Sequence, residues 1–233
     1  MRDLTLIHPY YENPGMLREQ QRMWASYPDD LKARLSVIVV DDGSPLDPAV
    51  RHLAETGVSS FTLYRTLVDV RWNWIFCRNL AMAQMQTAWA LMTDIDHVLP
   101  ADTLRCLLER DLDPATAYTL SRVDAPDRRP NPKPHPNTWL MTRTVFERAG
   151  GYDERFSGYY GTDGEFRRRV AKVAPIVLLP EVLIRYPKTV LADAETSRYG
   201  RKERQDAVNV PKILLARKDR APLRVTFPWE RVT

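Results

Sequence analysis

Long apolar runs and closely spaced cysteines are both missing from this sequence. No stretch approaches the roughly 20 consecutive apolar residues that a membrane-spanning helix needs. The chain opens on a strand-like segment rather than on a signal peptide, so we expect a soluble, cytoplasmic protein. The two cysteines, Cys77 and Cys106, lie in helical patterns without disulfide or metal-site spacing, which predicts buried free thiols.

The net charge is only +4, but the basic residues are unevenly spread. Lys and Arg number 34 against 30 for Asp and Glu, and they concentrate in 122–148 and 167–231. Such a surface suits phosphate-bearing ligands, anionic lipid headgroups or nucleic acid, although a solvated basic face without a partner is the commoner explanation. The 233 residues, 44% of them apolar, allow one large domain with a sizeable core.

Strand patterns alternate with helical patterns along the chain. The run Leu35–Val40 is apolar and β-branched, as in central strands that are covered on both faces. Further strands are predicted at 4–7, 60–64, 88–93 and 176–179, and helices at 15–26, 47–56, 74–87, 142–149 and 163–172. The five prolines between 122 and 138 predict an irregular loop. The alternation predicts an α/β fold with a mostly parallel, doubly wound, Rossmann-like sheet flanked by helices.

Ligands in such sheets bind beyond the carboxyl ends of the strands, so the polar residues that follow each strand are candidates. Asp94 and Asp96 directly follow a predicted strand, and two carboxylates separated by one residue can jointly hold Mg²⁺ or Mn²⁺. A cation held in this way keeps positions open for diphosphate oxygens. A pair of turn-forming aspartates explains the pattern equally well.

Two further segments carry polar residues with chemical content. Asp41 and Asp42 follow the most apolar strand, where a carboxylate can accept a base N–H or bind ribose hydroxyls, although a plain turn is the simpler reading. The segment 150–169 combines glycines and aromatics and leads into a helix that begins near Asp163 and Glu165. Helix capping explains either acid, but not the surrounding glycines and aromatics, which favour a ligand-binding loop.

Together these segments resemble the family 2 glycosyltransferases of the A-type fold. The matching motifs occur in order over about residues 3–185: Val-Val-Asp-Asp-Gly-Ser, Arg78-Asn79, Asp94-Ile-Asp96, and Gly-Gly-Tyr-Asp-Glu-Arg-Phe followed by Gly-Thr-Asp-Gly-Glu-Phe. The last segment is also similar to the carboxyl region of galactosyltransferases and polypeptide N-acetylgalactosaminyltransferases. The resemblance implies a nucleotide-sugar-binding, catalytic domain over 1–185, with a C-terminal extension over 186–233 packed on the same domain.

The resemblance also implies a metal-dependent, inverting transfer of a sugar, with UDP-sugar as the expected donor. It assigns Asp163 as the catalytic base and Asp94 and Asp96 as ligands of Mn²⁺ or Mg²⁺, with Asp96 the main direct ligand and Asp94 shared with the ribose. The remaining implied contacts are with the donor and the acceptor. The donor residues are Pro9, Tyr11, Asp41, Asp42, Arg78 and Asp94, and the acceptor residues are Tyr159 and Trp139.

This chain departs from the family pattern at two points. Many relatives carry Glu-Asp where this chain has Thr162-Asp163. Relatives often take a third metal ligand from a histidine of the carboxyl region, and no histidine follows His135 here. His97 adjoins the acidic pair, but strand alternation predicts that its side chain points away from Asp96. We therefore expect neither His97 nor His135 to bind the metal.

The acceptor stays open at the level of sequence. A glycan or a lipid-linked sugar is the first expectation, and a basic tail would help at a membrane face. A hydroxymethylated base in DNA, as in viral DNA-modifying glycosyltransferases, is the alternative, with the basic segments 122–148 and 198–220 tracking phosphates. A sugar nucleotidyltransferase would need a glycine-rich, basic loop after the first strand, which is lacking. A non-catalytic binding module would not need Asp163.

Overall fold

The computed structural model describes residues 3–127, 132–159, 163–194, 222 and 224–233. The strands are β1 (Leu4–Tyr10), β2 (Leu35–Asp41), β3 (Ser60–Thr66), β4 (Trp89–Met92), β5 (His97–Val98), β6 (Ala117–Asp124), β7 (Lys133–Pro134), β8 (Trp139–Thr142), β9 (Ile176–Arg185) and β10 (Trp229–Arg231). The α-helices are α1 (Pro14–Ala25), α2 (Asp29–Lys32), α3 (Trp74–Gln84), α4 (Ala101–Glu109), α5 (Arg143–Arg148) and α6 (Asp163–Val173). Two short 3₁₀ helices cover Ala49–His52 and Glu154–Phe156.

One sheet organises the described chain, in the strand order β10-β3-β2-β1-β4-β8-β6-β9-β5, with β7 paired to β6. The four strands β3, β2, β1 and β4 are mutually parallel, and β8 runs antiparallel to both β4 and β6. Because β6 therefore runs parallel to β4, and β9 parallel to β6, the carboxyl ends of six strands lie at one edge. The predicted α/β class with a parallel central sheet is confirmed.

The central strands are buried on both faces, which explains their uninterrupted apolar sequences. Alternate residues of β2 belong to two separate cores: Val37 and Val39 to one, Ile38 and Val40 to the other. Helices α1 and α4 cover the first core, while α3, α5 and α6 cover the second. Each fully buried side chain of this size contributes about 1.5–3 kcal/mol relative to exposure, so the sheet is a rigid base for its carboxyl edge.

Three predicted elements differ from the structure. The helix predicted at 47–56 is only the 3₁₀ turn Ala49–His52, because the backbone becomes extended at Leu53 and ends the turn there. The stretch 122–138 is not wholly irregular, since β6 extends to Asp124 and Pro134 lies in the two-residue edge strand β7, where a missing N–H is tolerated. Strand β9 continues six residues beyond the predicted end, past Pro180 at a register shift against β6.

The segment 224–233 returns to the sheet at its far edge. Strand β10 pairs antiparallel with β3, with Trp229 opposite Thr66. The amides of Val225 and Thr226 donate hydrogen bonds to the buried carboxylate of Glu154. Most of the predicted C-terminal extension, including the basic stretch 198–220, lies outside the described residues.

Two simpler expectations can be compared directly with the structure. Cys77 is a buried free thiol as predicted, whereas Cys106 is free but exposed, because it lies on the outer side of α4. Over the described ranges, no helix is both long and apolar enough to cross a membrane.

Candidate active site

The candidate site lies at the carboxyl edge of the sheet, around the end of β4. The amide of Thr93 donates to the carbonyl oxygen of Ile7, which fixes the exit of β4 beside β1. The amide of Asp42 bonds to the carbonyl oxygen of Tyr10 in the same way on the other side of β1. The turn that carries Asp94 and the turn that carries Asp42 are therefore both anchored to the central strand.

Arg78 is a buried residue that donates hydrogen bonds to three other groups of this site. Its side chain is completely inaccessible, and its guanidinium donates to the Asp94 carboxylate (2.8 Å), the Asn137 carbonyl oxygen (2.7 Å) and the Tyr152 hydroxyl (3.1 Å). Burial opposes its charge, but Tyr152 and Asp94 outweigh that effect, so the pKa of Arg78 is raised. The guanidinium also lies 4.8 Å from the ring centre of Trp74. The enclosed Arg78 side chain therefore holds Asp94 in place, and its predicted contact with the donor stays a prediction.

Two histidines lie beside Asp94. The His135 Nε2 atom is 3.4 Å from Asp94 Oδ2, and its Nδ1 atom is 2.7 Å from the Thr138 hydroxyl. The His97 ring stacks on His135 with ring centres 4.0 Å apart. Burial tends to raise the pKa of Asp94, but His135 and Arg78 outweigh it and lower the pKa. Burial lowers the pKa of His135 despite the neighbouring carboxylate, which favours the neutral imidazole.

The predicted orientation of His97 is wrong. Its Nδ1 atom lies 2.6 Å from Asp96 Oδ1, so its side chain meets Asp96 instead of pointing away from it. Strand alternation does not apply here, because the His97 amide bonds back to the Asp94 carbonyl and closes a turn across 94–97. Both His97 and His135 lie beside Asp94, so they are candidate ligands, contrary to the expectation that neither would bind the metal.

Asp94, His97 and His135 can hold a metal ion together. One ligand atom from each lies within 4.8 Å of the other two. Metal–ligand bonds of about 2.1 Å put two ligands at most about 4.2 Å apart, so the cluster needs to close by about half an ångström. One carboxylate oxygen and two imidazoles suit several divalent transition metals. Arg122 Nη1 lies 3.3 Å from His97 Nε2, and this contact would have to break before that nitrogen could bind a metal.

Asp96 is outside this three-residue cluster and holds His97 Nδ1 instead. A carboxylate in that position fixes the tautomer and the ring orientation of a metal-binding histidine, because it accepts the proton of the other ring nitrogen. Thr138 occupies the equivalent position on His135. The direct metal ligation predicted for Asp96 stays a prediction.

Asp163, the predicted base, lies close enough to Asp94 and Arg78 for their charges to shift its pKa. Burial raises the pKa of the Asp163 carboxyl, and the negative charge of Asp94 raises it further. Arg78 and a hydrogen bond from Asn137 act in the opposite direction without cancelling the rise. Residues that are 69 positions apart in the chain, Asp94 and Asp163, therefore share one electrostatic environment at the carboxyl edge.

The predicted donor residues lie on the β1–β2 side of Asp94. Asp42 is almost fully buried, and burial together with the charge of Asp41 raises its pKa well above the usual range. Asp41 has a structural task, since its carboxylate accepts from the Ser44 and Ala49 amides at 2.9 and 2.8 Å. Pro9 lies in β1, and the Tyr11 hydroxyl donates to Asp69 at 3.1 Å. Donor contacts by these residues stay predictions.

The two predicted acceptor residues differ in exposure. Tyr159 is partly exposed, and its amide bonds to the Phe156 carbonyl oxygen at the end of the second 3₁₀ turn. Trp139 is only 1% exposed and packs edge-to-face against Phe166, so it supports the site from the core. Acceptor contacts by either residue stay predictions.

Sequence reasoning missed Asn137, Tyr152 and the two histidines as members of the site. Tyr152 stacks on Phe166 with ring centres 4.0 Å apart and hydrogen-bonds Arg78, so it links α6 to the Arg78–Asp94 pair. The one available signal was the return of the chain from a proline-rich stretch into β8, which brings 135–138 back to the end of β4. No pattern within 122–138 itself indicates that contact.

Comparison by sequence gives no matching family model and no matching curated protein. Comparison of structures gives many matches at low identity. A mannosyltransferase of Pyrobaculum calidifontis, solved with GDP-mannose and Mn²⁺, aligns with TM-score 0.64 and 22% identity over 95% of this chain and 68% of its own. TarS of S. aureus (residues 1–349), solved with UDP-GlcNAc, gives 0.64 and 12% over 96% and 68%.

A third structural neighbour extends the comparison to animal enzymes. A mutant of Drosophila β1,4-galactosyltransferase 7, solved with manganese, UDP-Gal and xylobiose, aligns with TM-score 0.56 and 12% identity over 97% of this chain and 83% of its own. All three neighbours are glycosyltransferases of the A-type fold. This chain therefore has the A-type glycosyltransferase fold.

Proposed function

We propose that this protein is a metal-dependent glycosyltransferase that moves a sugar from a nucleotide sugar, with UDP-sugar as the donor, onto an acceptor hydroxyl. The observation that supports it best is the shared environment of Asp163, Asp94 and Arg78 at the carboxyl edge of an A-type sheet. Neighbours with this fold were solved with nucleotide sugars, and two of them with manganese. The assignment to family 2 belongs to the same proposal.

The proposed reaction is a single displacement with inversion. Asp163 accepts the proton of the acceptor hydroxyl as that oxygen attacks the anomeric carbon, and the bond from this carbon to the diphosphate oxygen breaks. The raised pKa of Asp163 makes it a better base than an ordinary aspartate. Asn137 bonds to Asp163 and lies 3.5 Å from Asp94, so it orients the base relative to the metal-binding side.

The divalent cation would be held by Asp94, His97 and His135, and the two imidazoles of this set suit Mn²⁺ better than Mg²⁺, which prefers oxygen ligands. Asp96 completes this part of the site through its 2.6 Å contact with His97 Nδ1. When bound, the cation neutralises the charge that develops on the leaving diphosphate. Arg78 keeps Asp94 ionised and in place for that ligand role.

The donor is expected to span from Asp42 to Asp94. The Oδ1 atom of Asp42 is buried and has no hydrogen-bond partner among the described residues, which supports a bond from the imide N–H of uracil. Tyr11 and Pro9 are the proposed flanks of the base, Asp41 shapes the turn, and Arg78 and Asp94 lie toward the diphosphate. Tyr159 is the proposed contact with the acceptor, and Trp139, which is 1% exposed, supports the site from the core.

A thermal-shift panel of nucleotide sugars tests the proposal. We expect UDP-sugars to raise the melting temperature more than GDP- or ADP-sugars, and only when Mn²⁺ or Mg²⁺ is present. Donor hydrolysis by wild type and Asp163→Asn then separates a transferase from a binding module. Equal hydrolysis by the two proteins, or a panel without any nucleotide-sugar shift, would contradict the proposed function.

The acceptor alternative in DNA has its own test. If the acceptor is a hydroxymethylated base, the protein must bind duplex DNA at low ionic strength and lose that binding as salt rises. Of the two basic segments considered from the sequence, 198–220 lies outside the described residues, and 122–148 contributes the residues around Arg122. Absence of duplex binding at low salt removes the DNA acceptor and leaves a glycan or lipid-linked sugar.

A further inference from the structure

A cavity of about 520 Å³ opens beside the cation cluster, at the carboxyl ends of β6 and β9. This volume falls within the range of small-molecule sites. The described side chains that give the cavity its charge are Arg122, Lys133, Arg185, Asp124 and Asp127. Neither the donor residues nor the base are among its lining, so the cavity is unused by the reaction as proposed above.

The cations of this cavity outnumber its carboxylates by three to two. Arg185 is already engaged, because its Nη2 atom donates to Asp124 Oδ2 at 2.8 Å. Lys133 lies exposed on the edge strand β7, opposite Arg122 on β6. With Arg185 and Asp124 paired, the cavity keeps two cations, Arg122 and Lys133, against one carboxylate, Asp127, and so a net charge of +1.

Arg122 is the partly buried cation of the cavity that acts on its nearest carboxylates only through space. It is partly buried, and it forms no ion pair with any carboxylate of the described residues. Among the described residues, its hydrogen-bond contact runs from Nη1 to His97 Nε2, at 3.3 Å. A partly desolvated guanidinium of this kind is stabilised by an anion that accepts two parallel hydrogen bonds.

The position of the cavity assigns it to the acceptor side. The proposed nucleotide residues lie at β1 and β2, while the cavity lies at β6 and β9. Four strand spacings separate β2 from β6, which at about 4.8 Å each is about 19 Å. Asp94, at the end of β4, lies between the two, so the site of transfer has a nucleoside side and a cavity side.

We propose that the cavity binds a phosphate group carried by the acceptor, through Arg122 and Lys133. The substrate class is then a hydroxyl compound that bears a phosphate mono- or diester near the hydroxyl that receives the sugar. This inference rests on the proposed glycosyl transfer and narrows its acceptor. The other source of the same chemistry is the diphosphate of the donor, and the experiment must separate the two.

Titration calorimetry with inorganic phosphate tests the cavity directly on the full chain, with and without saturating UDP and Mg²⁺. We expect phosphate to bind in both conditions with affinities within about threefold of each other, because the cavity is separate from the donor site. Arg122→Gln should weaken phosphate binding at least tenfold, and Lys133→Gln about threefold. Lys133 is exposed, so that variant stays informative even if Arg122→Gln does not fold.

Arg105→Gln is the matched control, because Arg105 lies on α4 and pairs with Asp30 at 2.7 Å, away from the cavity. It should keep wild-type phosphate affinity. Displacement of phosphate by UDP would assign the anion to the donor site and overturn the proposal, as would absent binding, unchanged affinity in both cavity variants, or equal binding of acetate. The UDP- and Mg²⁺-dependent thermal shift, measured without phosphate, reports separately on the proposed function.

Discussion

Arg78 and Asp94 form a buried ion pair, with Nη2 and Oδ1 2.8 Å apart, whose cation is wholly enclosed and whose anion reaches the carboxyl edge of the sheet. The pair joins α3 to the exit of β4 and is extended by Asn137 and Tyr152. A charge of this kind cannot be removed without leaving its partner uncompensated.

Arg78→Met should therefore destabilise the protein by about 3–5 kcal/mol, since Asp94 would lose its main counter-charge inside the site. Chemical denaturation monitored by tryptophan fluorescence measures the change in the free energy of unfolding. Arg22→Met is the control, because Arg22 pairs with Glu19 on the exposed side of α1 and should cost about 0–1 kcal/mol. A small effect at Arg78, equal to that at Arg22, would show that the buried pair is not needed for folding.

Much of the fold could be predicted from the sequence, for a clear physical reason. Strands buried on both faces, such as β2, carry uninterrupted β-branched runs, and the acids that follow them stand at the sheet edge by topology. The partners of Asp94 could not be predicted, because His135 approaches through β7 and β8, whose pairings are non-local. The turn at 94–97 also reverses the orientation that strand alternation gives to His97.

Asp163→Asn should lower the rate of sugar transfer by about 10²–10⁴-fold, because the amide cannot accept the proton of the acceptor hydroxyl. Steady-state transfer assays at saturating donor measure the change. Glu165→Gln, two residues further along α6, is the control: Glu165 binds Arg169 in an i,i+4 pair and should leave the rate within about threefold. The proposed role of Asp163 is lost if both variants retain wild-type rates.

The pH dependence of the reaction should report the raised pKa of Asp163. Only the ionised carboxylate can act as base, so the rate falls as the pH drops through the pKa of this group. Burial raises that pKa whether or not a cation neutralises Asp94, so the acid limb should lie above the ordinary range of aspartate. The measurement is the transfer rate from pH 4 to 8 with donor and metal saturating. An acid limb at or below the usual aspartate pKa would contradict the environment described for Asp163.

The raised pKa of Asp163 also predicts how the stability of the protein depends on pH. A carboxyl with a raised pKa in the folded state destabilises that state at pH values above the folded pKa, and the penalty vanishes below the unfolded pKa. Asp163→Asn should therefore raise the melting temperature at pH 7 without raising it at pH 3. A variant that is more stable at neutral pH yet inactive would separate catalysis from folding.

His135→Ala should weaken Mn²⁺ binding at least tenfold, because the cluster loses one of its three candidate ligands. The Mn²⁺-dependent thermal shift, recorded without nucleotide, gives the affinity independently of turnover. His52→Ala is the matched control, since His52 lies by Asp47 in the first 3₁₀ turn and touches no member of the cluster. Unchanged Mn²⁺ affinity in His135→Ala would leave the cation to Asp94 and Asp96, as first predicted from the sequence.

Glu154→Ala should destabilise the protein by about 2–4 kcal/mol, because it leaves several buried donors without an acceptor. The carboxylate of Glu154 accepts hydrogen bonds from the Asn79 side chain, the Val225 and Thr226 amides and the Thr226 hydroxyl. Thermal unfolding measures the loss. Glu147→Ala, a substitution on the outer side of α5, should change the melting temperature by less than 2 °C and provides the comparison. Equal effects of the two changes would argue against this interaction.

Glu154 also connects the segment 224–233 to the loop that precedes α6, so the segment supports a part of the site to which it contributes no reacting group. The segment 224–233 contains no candidate catalytic residue. It forms the edge strand β10 of the sheet, and its amides donate hydrogen bonds to Glu154 in the loop that precedes α6. We therefore expect substitutions at Thr226 to loosen the loop around Glu154 and thereby to disturb the start of α6, where Asp163 lies.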